Sequence, residues 1–236
     1  MSNQISESDA ARESGFRLPF WAWITLYLVV GVGVTVAAHY AVRGVVNGWH
    51  VMIATFLFIN IMICWMEISL GANIGLIEYW HHDPAGRAER PPADVLITPM
   101  TLREAISMRP WVRNLSEYVY YDPSYANRRS YGFWADVGNG WVTLLPSIFF
   151  LVGMTAETVS PVVLGIVGAL IFYQKLYCTS VYLVAYVFNR YYKDRPLAGV
   201  LGIVGGTNAV WVVIPLLALY ACIRLILENR MDLFWS

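Results

Sequence analysis

Five stretches of this chain are apolar for long enough to cross a bilayer, at about residues 20–42, 49–78, 130–153, 161–190 and 197–227. Lipid offers backbone groups no hydrogen bonds, so each stretch is predicted to be a helix that satisfies them internally. The second is longer than a perpendicular crossing needs and is expected to tilt or protrude. Pro146 and Pro215 fall inside the third and fifth spans. There they are expected to bend the helix and free carbonyls that neighbours must satisfy.

Within these spans the polar residues recur at helical spacing. Span two carries Asn60, Cys64, Glu67 and Gly71, and span three carries Asp136, Asn139, Gly140 and Thr143. Span four carries Lys175, Cys178, Thr179, Tyr182 and Tyr186, and span five carries Asn208, Trp211 and Pro215. Positions at i, i+3, i+4 and i+7 share one face of a helix. At 1.5 Å per residue, Glu67 lies about 15–18 Å from the loop end of its span, Asn139 about 14 Å and Asn208 about 17 Å. Glu67, Asp136 and Lys175 are ionisable, and a charge at bilayer depth costs several kcal/mol unless it is paired or used. The stripes therefore turn inward. The expected fold is an all-α polytopic membrane protein, a five-transmembrane-helix bundle with a membrane-embedded cavity. Two uses fit the polar layer. In one it is interhelical glue, with Lys175 paired to Glu67 or Asp136 and Asn208 bonded to a carbonyl freed by Pro215. In the other it holds a ligand, and one carboxyl group donates a proton.

The connecting segments add orientation. Residues 1–19 read as a disordered tail without the apolar core of a signal peptide, and residues 229–236 as a short C-terminal tail. The 79–129 loop is amphiphilic. Asp83-Pro84-Ala85-Gly86 and Pro91-Pro92 mark turns, and Thr101 with Glu104 forms a capping-box pattern ahead of a short helix. Trp111, Tyr118, Tyr120, Tyr121 and Tyr125 suit either an anchor at the headgroup level or a lid over a site. Twelve Lys and Arg fall on the side of the N-terminus and this loop, against Arg43, Arg224 and Arg230 on the other. By the positive-inside rule the N-terminus is expected in the cytoplasm and the C-terminus opposite. No terminal retention signal of the KDEL type is present, which favours a bacterial inner membrane over the endoplasmic reticulum.

Composition narrows the classes. The chain is 58% hydrophobic and only 14% charged, with formal net charge zero, so nucleic acid is not an expected partner. Cys64, Cys178 and Cys222 lie in apolar stretches without metal-binding spacing, so no metal site is expected. His39, His50 and the adjacent pair His81-His82 sit near span ends, where solvation at the interface is the expected role.

Span five contains the string Asn208-Ala209-Val210-Trp211-Val212-Val213-Ile214-Pro215. Glu117-Tyr118 and Asp122-Pro123-Ser124-Tyr125 lead into span three, where Asp136, Asn139 and Pro146 follow; Gln174 and Tyr177 lie in span four. This ordered set, spread over about residues 50–225, resembles the emopamil-binding protein family of the EXPERA superfamily, which includes sterol Δ8–Δ7 isomerases. Asn208 and Trp211 match that family outright. Asp136 stands where it has Glu, Asn139 where it has Thr, and Ile63 where it has the His that precedes the Glu matched by Glu67. Lys175 has no counterpart there. The resemblance implies an embedded cavity for a sterol-like or amphiphilic amine ligand and an isomerase that needs no cofactor. It also implies an acid that protonates a ring alkene, with carboxylates and an aromatic ring stabilising the cation.

The functional expectation is a protein that binds a sterol- or isoprenoid-like lipid in the membrane, with double-bond isomerase chemistry as its enzymatic form. Glu67 or Asp136 is the candidate acid and Trp211 the cation-stabilising ring. Asn139, Thr143, Lys175, Thr179, Tyr182 and Asn208 are the candidate ligand-binding residues. A non-catalytic lipid-binding or trafficking protein and an accessory subunit of a larger complex remain alternatives, and homodimerisation is left open. A proton-coupled transporter fits less well, because no inverted repeat is visible.

Overall fold

The computed structural model describes residues 15–236. Most of the expected N-terminal tail, residues 1–14, lies outside the described residues. Residues 15–19 are not a loose tail. Leu18–Pro19 (β1) pairs antiparallel with Pro99–Met100 (β2), and Arg17 meets Glu104 at 3.2 Å. The segment entering the first helix takes backbone partners from the loop, and Trp23 Nε1 adds a 2.8 Å bond to the Met100 carbonyl.

Five helices are long and apolar enough to span a membrane: α1 (Phe20–Arg43), α2 (Gly48–His82), α6 (Tyr131–Ala156), α7 (Pro161–Phe188) and α8 (Leu197–Glu228). The chain is therefore an all-α polytopic membrane protein. Side-chain caps start three of them: Asn47, Ser130 and Ser160 accept the backbone N–H of His50, Phe133 and Val163. Helix α2 is kinked at Asn73, whose backbone leaves the helical region at φ −126°, ψ 18°. The Asn73 amide also donates to the Ser69 carbonyl at 2.9 Å, a local cause of bending. Pro146 and Pro215 sit inside continuous helices. The glycine-rich stretch Val200–Gly206 of α8 widens into π-type turns.

The 79–129 loop is ordered. It contains α3 (Pro84–Glu89), α4 (Leu102–Ile106) and α5 (Met108–Tyr118). The expected turn at residues 83–86 is instead the start of α3, because the Asp83 carboxylate caps Ala85 and Gly86 N–H and Pro84 suits the first helical position. Both bonds of the Thr101–Glu104 capping box form. At the other end of the chain, residues 229–236 are not a tail: α9 (Asp232–Trp235) buries Phe234, and the Ser236 carbonyl accepts from Asn47 Nδ2 at 2.7 Å.

Helix α1 lies against α2, and α2, α6, α7 and α8 follow one another around the bundle, with α8 packed along α7 and only lightly against α2. The half of the bundle away from the loop is solid. Phe56, Phe150, Met154, Phe172, Cys222 and Phe234 are all buried there. His39 and His50 belong to that packing rather than to a wet interface. Both are fully buried and stacked with centroids 3.9 Å apart, and His50 Nε2 bonds Thr155 Oγ1 at 3.0 Å. His81 and His82 also find protein partners, the Ser116 and Ala126 carbonyls at 3.0 and 2.7 Å.

Small residues set the helix spacing, as expected where lipid removes a hydrophobic drive between helices. A Cβ on Gly140 would come within 2.9 Å of the Cys64 carbonyl and 3.0 Å of Glu67 Cβ, whereas one on Gly138 would meet nothing within 4 Å. Gly140→Ala should therefore destabilise the detergent-solubilised protein by about 1–3 kcal/mol through overpacking. Gly138→Ala on the same helix should be neutral or stabilising by about 0.5–1 kcal/mol. Thermal unfolding of the two variants checks this, and equal melting temperatures would contradict the close α2–α6 approach.

Candidate functional site

The loop-side half of the bundle is hollow. A cavity of about 290 Å³ lies among α2, α6, α7 and α8 beneath α5. The stripes of the four spans converge on it. Glu67, Asp136, Asn139, Lys175, Thr179, Tyr182, Asn208 and Trp211 all line it. Thr143 does not line it; it is buried in the network just beyond the cavity wall. Tyr177, one of the residues carrying the family resemblance, is exposed on the outer face of α7 and stacks on Tyr173.

Lys175 is 2% exposed and forms no ion pair with Glu67 or Asp136; the ion pairs among the described residues lie elsewhere. The expectation of a direct Lys175–carboxylate pair is therefore corrected. An ammonium has three N–H groups, and three neutral oxygens take them: Asn60 Oδ1, Asn139 Oδ1 at 3.1 Å and Thr143 Oγ1 at 3.1 Å. Asn139 turns its other end to Glu67, donating from Nδ2 to Oε2 at 2.7 Å. One amide thus stands between the buried cation and the buried carboxylate and bonds both. Asn60 continues the network to Ser147 Oγ at 3.0 Å. Asn208 donates to the Val204 carbonyl at 2.7 Å. The carbonyl it satisfies is therefore one at the π-type turn, rather than one freed by Pro215.

Asp136 occupies a different setting. Tyr125 donates its hydroxyl hydrogen to Asp136 Oδ2, and Asp136 as a whole residue is half-buried where Glu67 is buried. Beside this pair, Tyr182 donates to Asp122 Oδ2 at 2.6 Å, and the Tyr118 and Tyr182 hydroxyls lie 3.4 Å apart. Tyr118 packs edge-on to Tyr125 with centroids 5.0 Å apart. Asp122 lies in the loop yet is fully buried, and that burial holds its carboxyl above the usual range, against the opposing effect of the Tyr182 bond.

These loop residues are the part of the site that helical spacing missed. Trp111, Asn114, Leu115 and Tyr118 of α5 form the roof, and Tyr125 joins them in lining the cavity. Trp111 and Tyr125 are buried and Tyr118 is half-buried, so they do not act as headgroup anchors. Tyr120 is the exposed member, with the Arg195 guanidinium 4.5 Å over its ring. The signal that could have found the roof was the amphipathic pattern of α5 together with the Asp122-Pro123-Ser124-Tyr125 string. The loop is also tied down by Arg113–Asp94 at 2.9 Å and by Arg128–Glu78.

The network makes a quantitative expectation. Asn139→Leu removes an acceptor from Lys175 and a donor from Glu67 together, so it should destabilise more than Asn60→Leu. Adding Lys175→Met to Asn139→Leu should recover about 1–3 kcal/mol relative to additivity. Unfolding midpoints of the wild type, Asn60→Leu, Asn139→Leu, Lys175→Met and the double variant in a mixed-micelle denaturation series read this coupling, and additive changes would refute the shared network. The chain matches no protein-family model, no curated protein and no solved structure.

Proposed function

We propose that this integral membrane protein is of the EXPERA type, that it holds a sterol- or isoprenoid-like amphiphile in the loop-side cavity, and that Asp136 acts there as a general acid on a double bond. The observation that carries the reading is the convergence of two carboxyl groups, three amides and two indoles on a single intramembrane cavity whose buried cation bonds neutral oxygens. Such a cavity suits an apolar body with a small polar or unsaturated feature.

In this reading Asp136 is the acid and Glu67 the second carboxyl group. Tyr125 holds one oxygen of Asp136 and leaves the other for the proton. The alkene π electrons take that proton to form a C–H bond, leaving a cation on the neighbouring carbon. The Trp211 indole and the Glu67 carboxylate stabilise the cation, a cation–π contact contributing about 2 kcal/mol in a dry site. The Asp136 carboxylate then removes a proton from the adjacent carbon. The double bond has moved, the acid is restored and no other reactant is consumed. Asn139 and Asn208 orient the ligand. The loop, carrying half of the Arg residues, faces the cytoplasm.

A second reading, lipid binding without chemistry, is favoured by one observation. Lys175 also lines the cavity, and its charge has no carboxylate in contact with it. A cation formed on the ligand would be repelled by it.

Lipid extraction of the purified protein, followed by incubation with the recovered lipid in deuterated water, separates the readings. The wild type should carry a sterol or polyisoprenoid and exchange deuterium into it. Asp136→Asn keeps an acceptor for Tyr125, so it should retain the lipid while exchange falls by about 10²–10⁴-fold. Lipid recovery without exchange in the wild type would leave the carrier reading standing, and absence of such a lipid would sink both.

A further inference from the structure

The polar cavity has a neighbour. A second cavity of about 500 Å³ lies between α1 and α2 under α4, walled by Trp23, Tyr27, Ile61, Trp65 and Ile106 among others. The two cavities share Ile24, Met62 and Trp111 as lining residues, so these three side chains stand between them, at the place where a neck would lie.

The second cavity contains polar ring atoms, but each is already engaged with the backbone. Trp23 Nε1 donates to the Met100 carbonyl at 2.8 Å, Trp65 Nε1 to that of Ile106 at 3.1 Å, and Trp111 Nε1 to that of Ala105 at 3.1 Å. The Tyr27 hydroxyl donates to the Phe58 carbonyl at 3.2 Å. With its indole and phenol donors committed, this space suits hydrocarbon. The neck has one rigid and two yielding sides. Trp111 is fixed by its hydrogen bond and by an edge-on contact with Phe20 at 4.8 Å. Met62 is unbranched and adaptable. Ile24 belongs to α1, in which only Phe20 and His39 are buried.

We infer that the ligand is a chain-like amphiphile, with its polar or reactive end in the cavity of Glu67 and Asp136 and its hydrocarbon tail passing between Ile24, Met62 and Trp111 into the α1–α2 groove. This inference rests on the proposed binding of an amphiphile in the polar cavity and selects the isoprenoid class over compact sterols. A flexible chain can bend around a fixed indole, whereas a rigid fused-ring body needs a straight passage past it. The tail gains little hydrophobic energy by leaving lipid for an apolar groove, because lipid tails are equally apolar. Its position, rather than its affinity, is therefore the measurable consequence.

Photo-crosslinking locates each end. Two geranylgeraniol analogues, one with a diazirine beside the hydroxyl group and one with it at the far end of the chain, are added to the protein in lipid nanodiscs, beside a diazirine-bearing cholesterol. Peptide mass spectrometry maps the adducts. The hydroxyl-end probe should label peptides containing Met66 or Asn208, and the chain-end probe those containing Tyr27 or Ile106. Ile24→Trp at the neck and Ile106→Trp in the groove should each reduce chain-end labelling there by about tenfold, equivalent to about 1.4 kcal/mol of overpacking. Hydroxyl-end labelling should persist in Ile106→Trp, because Ile106 lines the groove and not the polar cavity. A chain-end label that stays on Met66 or Asn208, or spreads over the outer faces of α6 and α7, overturns the inference and leaves amphiphile binding intact. Cavity labelling by the cholesterol probe alone does the same. If no probe labels the cavity, the proposed function falls with it.

Discussion

The buried ammonium of Lys175 is the constraint around which the hollow half of the bundle is arranged. Its three N–H groups must all be used inside the membrane, and the oxygens that use them come from α2 (Asn60) and α6 (Asn139 and Thr143), while the lysine itself belongs to α7. A rotation or slide of one helix against the others would leave a charged donor unpaired in a dry interior, an error costing several kcal/mol. The arrangement thus fixes the mutual register of three helices. It also decides the chemistry next door. Had Lys175 met Glu67 or Asp136 directly, one carboxyl group would be neutralised by contact. Asn139 stands between instead, giving its Nδ2 to Glu67 and its Oδ1 to Lys175. Both carboxyl groups therefore face the cavity without a cation against them.

A cavity above such a network needs a roof, and the loop supplies it. The α5 helix turns Trp111 and Leu115 inward, and Asp122, buried through its bond from Tyr182, brings the following Tyr125 to Asp136. On the side where α8 packs lightly against α2, the wall is made of side chains such as Met62, Met66 and Trp211. Methionines adapt to what lies between them.

Much of this could be read from the sequence, for a physical reason. Lipid makes the spans long and apolar, and it makes every polar stripe point inward. Spacing alone therefore brought Glu67, Asp136, Asn139, Lys175, Asn208 and Trp211 to one layer. What spacing does not carry is reach across helices. The partners of Lys175 are neutral oxygens because Asn60, four residues before Cys64, sits within range of a long flexible side chain. A rule that pairs opposite charges points elsewhere. Thr143 shares the stripe of Asp136 and Asn139, yet it lies a full turn deeper and meets the lysine rather than the cavity. The aromatic loop residues fitted both a headgroup anchor and a lid, because amphipathic composition is the same whether the apolar face meets lipid or protein. His39 and His50 looked like interface residues for a similar reason: their burial comes from the stacked contact between α1 and α2, which neither helix encodes by itself.

The two halves of the bundle differ in how they are filled. Away from the loop, phenylalanines interlock and α9 plugs the end. Arg43 there pairs with Glu157 and lies 3.3 Å over the Trp235 ring. Dense packing of this kind tolerates little change in side-chain volume. Toward the loop, space is kept open, buried polar groups are held by one another, and the last span loosens into a glycine-rich π-type turn beside Asn208. Wide turns and buried charges are costly features to maintain. They can persist because the solid half holds the helices at fixed separations and the Lys175 network transmits that spacing to the cavity. The polar layer is therefore both structural and available for function: the same amide that locks Lys175 in place orients the carboxyl group of Glu67 at the cavity wall.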